Sequence, residues 1–142
     1  MNNKNNEKNK KSTAYNPAEV EDRLYSEWLE KKYFHGHADS DRPAYSVVIP
    51  PPNVTDILHI GHALNNTIQD ILVRKHRMER YETEWLPGAD HAGIATQVIV
   101  EKQLLNEGTT RREVGRDKFL ERTRKWAYRN KDIILNQLKK IG

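Results

Sequence analysis

The sequence predicts an α/β chain: two parallel strands joined by a crossover helix, with further helices alongside and one helix in front. Three observations predict it. The run Tyr45, Ser46, Val47, Val48, Ile49 is apolar on both alternating faces apart from Ser46, and stops at Pro50, Pro51 and Pro52, which reads as an interior strand of a parallel sheet. From Gly61 to about Arg80, Leu64, Ile68, Ile71 and Leu72 recur at helical spacing, a stripe expected to face that sheet. Thr83, Glu84, Trp85 and Leu86 then form a second short strand, ended by Pro87 and Gly88. A crossover of this kind is right-handed, and loops 50–60 and 87–93 then leave the carboxyl ends of adjacent or near-adjacent strands, so that both line one crevice.

The 142 residues hold one ordinary domain's worth of material. A content of 36% hydrophobic and 31% charged residues suits a soluble globular piece. No apolar run approaches the ~20 residues that span a bilayer, so no membrane partner is expected. The first residues carry no apolar segment of a secretory signal. The absence of cysteine removes disulfides and thiolate metal ligands and is compatible with a cytoplasmic setting.

In chain order, residues 1–14, with five Asn and four Lys, read as a disordered leader. Residues 15–44 read as a helix and connector. Asn16 supplies an N-cap, Pro17 the first helical position and Glu19 the return arm of a capping box, with Tyr15 and Val20 placed for a hydrophobic staple. Val20, Leu24, Trp28 and Leu29 mark its apolar side, and Gly36 its end. Residues 45–142 carry the α/β unit. After Gly93 a helix with Ile94, Ala95, Val98, Ile99 and Leu105 on its apolar side stops at Asn106 and Gly108. Thr110 and Glu113 then offer a second capping box, opening a last helix in which Phe119, Trp126 and Ile133 recur every seven residues, joined by Ile134, Leu138 and Ile141. Residues 111–140 hold eleven Lys or Arg against four acidic residues, an excess of seven positive charges. Such a stripe serves either as a solvated helix face or as a surface for a polyanion.

The chemistry concentrates in the two loops. His59 and His62 flank Gly61 across the first turn of a helix, where unpaired backbone N–H groups and the positive dipole end favour phosphate. Imidazoles there donate hydrogen bonds to phosphate oxygens and stabilise charge that develops as the α-phosphorus is attacked. Gly61 lets a base or ribose approach the backbone. A zinc site from His59, His62, Asp90 and His91 is the competing use, but it lacks both cysteine and a helical spacing to organise the last two ligands. Neither Gly-x-x-x-x-Gly-Lys nor Gly-x-Gly-x-x-Gly occurs.

Pro50 to His62, Pro-Pro-Pro-Asn-Val-Thr-Asp-Ile-Leu-His-Ile-Gly-His, resembles the His-Ile-Gly-His signature of class I aminoacyl-tRNA synthetases in its valyl-tRNA synthetase form. The resemblance continues through His62-Ala-Leu-Asn-Asn-Thr-Ile-Gln-Asp-Ile-Leu and Trp85-Leu-Pro-Gly-Ala-Asp-His-Ala-Gly-Ile-Ala-Thr-Gln, and covers roughly residues 15–142. It implies the first half of a Rossmann-like nucleotide-binding domain, an incomplete parallel sheet with flanking helices, ending near the start of an editing-domain insertion. It also implies ATP-dependent activation of L-valine and transfer to tRNA(Val), with ATP and Mg2+ as substrate. The signature spans Pro52, Asn53, Val54, Thr55, Asp56, Ile57, Leu58, His59, Ile60, Gly61 and His62. Within it, His59 and His62 are the catalytic pair, and His59, Ile60, Gly61 and His62 meet ATP. Pro51, Asn53 and Asp90 form the valine site, Asp90 taking the α-ammonium. No metal ligand is expected.

Two departures carry weight. The family has glycine where Asp56 stands, and Asp there both narrows backbone choice and brings negative charge toward the triphosphate, so weaker ATP use is expected. Glycine is also frequent where Arg80 stands, but an exposed helix end makes Arg80 the lesser concern. The isolated chain, without the second half of the nucleotide domain and its lysine-rich loop, is expected to be inactive, with apolar helix faces exposed. Two other readings are a degenerate fragment serving as an RNA-binding or interaction module, with a weak RNA contact through the basic helix 111–140, and a stand-alone adenylating or nucleotidyl-transfer enzyme.

Overall fold

The structure is a computed structural model that describes residues 14–141. Apart from Ala14, the leader expected over 1–14 lies outside the described residues. The chain divides into two compact units, Met1–Tyr33 and Phe34–Gly142.

In the first unit, helix α1 (Pro17–Glu30) begins at the expected N-cap, Asn16, with Pro17 at its first position. The expected capping box does not form. The Asn16 amide donates instead to the Glu19 carboxylate at 2.7 Å, and Tyr15, 67% exposed, does not close a staple. The helix also stops at Glu30 rather than near Gly36. Lys32 takes left-handed backbone (φ 54), with Lys32 N–H on Leu29 O and Tyr33 N–H on Trp28 O, both at 3.2 Å. That pair of bonds is a Schellman ending built without glycine.

In the second unit the order is β1 (Ala44–Val48), α2 (Ile60–Met78), β2 (Glu82–Leu86), α3 (Gly93–Asn106), α4 (Arg111–Val114) and α5 (Arg116–Ile141). β1 and β2 pair in parallel from Ala44 against Glu82 to Val48 against Leu86, as the crossover requires. The connector is tied down at the start of β2. Gly36 N–H donates to Glu84 at 2.8 Å, His37 N–H to Glu82 at 3.0 Å, and Arg42 pairs with Glu82. Hydrogen bonds from the His37 and Ser40 side chains, helped by the His37 backbone and the Arg42 charge, hold the Glu82 carboxyl down at about 2.

β1 is not covered on both faces. Tyr45, Val47 and Ile49 turn inward while Ala44, Ser46 and Val48 face out, Val48 at 70% exposure. The stripe expected on α2 is likewise turned away from the sheet: Leu64, Ile68, Ile71 and Leu72 are all exposed. The face that meets the strands is more polar. His76 stacks on Tyr45 at 3.6 Å and 5°, Gln69 accepts from the Trp85 indole at 3.1 Å, and Val73 and Asn66 are buried. Two short strands offer only a narrow strip, and polar groups fill much of it: Asn66 donates to His62 O at 2.9 Å, although its Oδ1 is buried without a partner.

α3 ends where expected, with Gly108 (φ 77) in the left-handed position, but its apolar side is also rotated. Ile94, Val98 and Leu105 are exposed, while Thr96, Val100 and Leu104 are buried. Val100 and Leu104 on that line pack with Phe119, and Thr96 can share it because its hydroxyl donates to His91 O at 2.6 Å. The capping box at Thr110 and Glu113 forms as expected. Gly115 (φ 80) then breaks the predicted single helix into α4 and α5. The apolar side of α5 is the expected one. Phe119 packs with Val100, Leu104 and Trp126, and Ala127, Ile134 and Leu138 pack with Val54.

Candidate functional site

Beyond the prolines the two loops continue the parallel pairing of the strands. Asp90 N–H donates to Pro52 O at 2.8 Å and Val54 N–H to Asp90 O at 2.9 Å, so Asn53 stands directly beside Asp90. Pro51 lies against Gly88, where a Cβ would sit 3.8 Å away. The structure therefore brings Pro51, Asn53 and Asp90 together at the carboxyl ends of β1 and β2. The Asp90 carboxylate is exposed, and one oxygen, Oδ1, accepts from Ala92 N–H at 2.8 Å. That bond orients the carboxylate and leaves Oδ2 for a cation. Ala92 holds left-handed backbone (φ 44) at the N-cap of α3, a geometry that costs an L-residue about 1–2 kcal/mol.

The two imidazoles cap the N-terminus of α2 for one another. Gly61 N–H donates to His59 Nδ1 at 3.1 Å, and His59 N–H donates to His62 Nδ1 at 3.2 Å. Their rings lie 3.9 Å apart. A ring that accepts at Nδ1 is neutral and carries its proton on Nε2. Each histidine is thus set to donate from Nε2. For His62 burial, and then the neighbouring His59, push the pKa below 6.5, which favours that neutral state. A Gly61 side chain would press on the His59 ring, its Cβ 3.0 Å from Cε1. Glycine thus lets the His59 imidazole fold closely over the backbone, a reason the sequence did not show.

At Asp56 the sequence expectation needs correction. The non-glycine residues with left-handed backbone among the described residues are Lys32, Arg80 and Ala92; Asp56 is not one of them, and its carboxylate closes on Ile57 N–H at 2.8 Å. Any glycine preference there concerns ligand approach or charge, not backbone freedom. Arg80 is the strained one (φ 67).

The sequence reading missed the support behind this wall. Val54 is 0% exposed, its side chain packed among Ala127, Ile134, Leu58, Ala89 and Leu138. The Trp126 indole donates to Val54 O at 3.1 Å, and Gln137 accepts from Leu58 N–H at 3.0 Å. The seven-residue period of Phe119 and Trp126 signalled a buried face, but nothing in the sequence said it was buried on the signature loop. The outer face of α4 and α5 carries the basic stripe: ten of its eleven cations are exposed, Lys131 being half-buried. Arg111 pairs with Glu101 and Arg122 with Glu107, each at 2.6 Å. His91, offered as a zinc ligand in the competing reading, sets its ring edge-on to Tyr128 at 6.2 Å.

The parallel crossover thus runs through a helix that opens with two imidazoles, beside a second loop carrying an oriented carboxylate. The family model for class I tRNA synthetases (I, L, M and V) matches residues 23–142, and the chain belongs to that family, whose members use ATP as substrate. Among curated proteins it is similar to the valine–tRNA ligase of Geobacter sulfurreducens, 56% identical over 129 residues, covering 91% of this chain and 14% of the relative. It is 53% identical over 131 residues to that of Clostridium perfringens (92% and 15%), and 56% over 128 to that of Pelagibacter ubique (90% and 14%). The chain thus spans 14–15% of the length of these relatives. Among the described residues no helix is long and apolar enough to cross a membrane.

Proposed function

We propose that this chain forms one wall of the adenylating site of a valine–tRNA ligase, on the first part of a Rossmann-like domain acting in the cytoplasm. The observation that carries the reading is the mutual capping of His59 and His62, which directs two Nε2–H donors from the start of a long helix. Valine carboxylate attacks the α-phosphorus of ATP, the bond to the pyrophosphate oxygen breaks, and valyl adenylate forms before transfer to tRNA. Mg2+ accompanies ATP as part of the substrate. His59 and His62 stabilise charge on the phosphate oxygens, while the backbone of Ile60 and Gly61 receives the nucleotide. Asp90 Oδ2 pairs with the valine ammonium, with Pro51 and Asn53 beside it. No covalent nucleophile is needed, since orientation and charge stabilisation supply the catalysis. The exposed cations of α4 and α5 suit a weak, salt-sensitive contact with RNA.

Titration of ATP into the chain tests this. His59→Asn retains an N-cap acceptor but removes the Nε2 donor, so stability should hold while affinity falls by about tenfold, the worth of one hydrogen bond to a charged group. Asp90→Asn should remove any gain in affinity that valine gives. Unchanged ATP affinity in His59→Asn and His62→Ala would reject the assignment.

A further inference from the structure

We propose that Gln137 and Trp126 of α5 are positioning residues for the histidine pair. They hold the two ends of the turn that delivers His59: the Trp126 indole donates to the carbonyl of Val54, and Gln137 Oε1 accepts from the N–H of Leu58. Between those points the Asp56 carboxylate closes locally on Ile57 N–H. Val54 is fixed a second time by its N–H on Asp90 O and a third time by its side chain, sealed against Ala127 and Ile134. Leu58 is the residue immediately before His59. With its N–H anchored, the extended backbone of His59 (φ −119, ψ 175) is launched from a fixed point, and its Nδ1 falls on Gly61 N–H while its own N–H meets His62 Nδ1.

Release of Leu58 loosens both caps at once, because each runs through His59. The rings then lose the acceptor role that places their protons on Nε2. Trp126 acts at the other end of the turn and also joins the α3–α5 cluster through its ring, so one helix registers the 54–58 turn against the remainder of the unit. The choice of glutamine is informative. Its oxygen satisfies Leu58 N–H without placing a fixed negative charge beside groups that must meet phosphate.

This inference rests on the reading that His59 and His62 meet ATP phosphates, and the test separates the two. Imidazole 15N spectra and amide exchange are recorded on the ligand-free 142-residue chain, and ATP affinity is measured in parallel. Gln137→Met keeps side-chain length but removes the acceptor. It should raise Leu58 amide exchange about tenfold or more, replace the Nε2–H pattern of both rings by tautomer averaging, and lower ATP affinity about tenfold. Gln137→Glu, which retains the acceptor, should restore the Leu58 protection and the imidazole pattern. Trp126→Phe, which keeps the ring packing, should shift the imidazole pattern in the same direction, and it decides the matter if Gln137→Met does not fold. Wild-type spectra in both the Met and Phe variants would overturn the positioning role. If ATP leaves the wild-type chain unaffected, the phosphate reading fails while the ligand-free spectra still decide whether these residues set the rings.

Discussion

Replacing Arg80 by glycine should stabilise the second unit, although it removes a side chain and adds none. Helices α2 and α3 end in the same Schellman pair of bonds. At α2, Arg80 N–H reaches Arg77 O at 3.1 Å and Tyr81 N–H reaches His76 O at 3.0 Å; at α3, Gly108 N–H reaches Leu105 O at 3.0 Å and Thr109 N–H reaches Leu104 O at 2.9 Å. The residue at the turn has φ 67 in the first case and φ 77 in the second. Left-handed backbone costs an L-residue about 1–2 kcal/mol, and the larger unfolded-state entropy of glycine returns about 0.5–1 kcal/mol. Loss of a cation near a helix C-terminus subtracts a few tenths more. Arg80→Gly should therefore gain about 0.5 kcal/mol. Gly108→Ala is the matched control, because a Cβ there meets nothing within 4 Å and the change probes backbone alone; it should lose about 0.5–1 kcal/mol. Urea unfolding followed by tryptophan fluorescence reads both as shifts of a few tenths molar in midpoint at constant slope. A stability loss in Arg80→Gly, or a neutral Gly108→Ala, would refute the reasoning.

Val54→Ala empties a sealed site and should cost about 2–3 kcal/mol, measured as a lower thermal midpoint; a loss under about 1 kcal/mol would show that the α5 contact is loose. Because the pKa of His62 is depressed in the fold, the stability it lends is complete above its ordinary value of 6.5 and falls as pH drops through that value toward the folded one. Amide exchange at His59, whose N–H is held by His62 Nδ1, should report that window. Glu82 has the corresponding shift for an acid: its contribution is complete above 4.5 and is lost as pH falls toward about 2, read at the His37 amide. Coincident profiles at these two amides would contradict separate origins. Asp56→Gly should tighten ATP about threefold or more by removing a charge near the triphosphate, and equal affinities for the two chains would sink the electrostatic reading of that position.

Much of the architecture was legible because its punctuation is local. Prolines 50–52 and Pro87-Gly88 end the strands, Gly108 ends α3, and Thr110 with Glu113 starts α4. The helix faces were not legible. Apolar residues on α2 and α3 mark surfaces that face outward, whereas the inner contacts run through Gln69, His76 and Thr96, whose burial depends on particular partners rather than on hydropathy. The α5 support joins residues 72 and 79 positions apart, beyond any periodicity. The two departures from glycine exchanged roles. Asp56 attracted the conformational concern and has ordinary backbone, while Arg80, set aside as a helix end, occupies the position that favours glycine.

The decisive measurement is a long-range 1H–15N spectrum of His59 and His62 through an ATP titration at neutral pH. Before ATP, both rings should show a bare Nδ1 and a protonated Nε2. Added ATP should shift both Nε2 resonances saturably with one common affinity and leave the tautomer unchanged. Rings protonated at Nδ1, or ATP shifts confined to residues away from this helix start, would contradict a phosphate site built on the paired imidazoles.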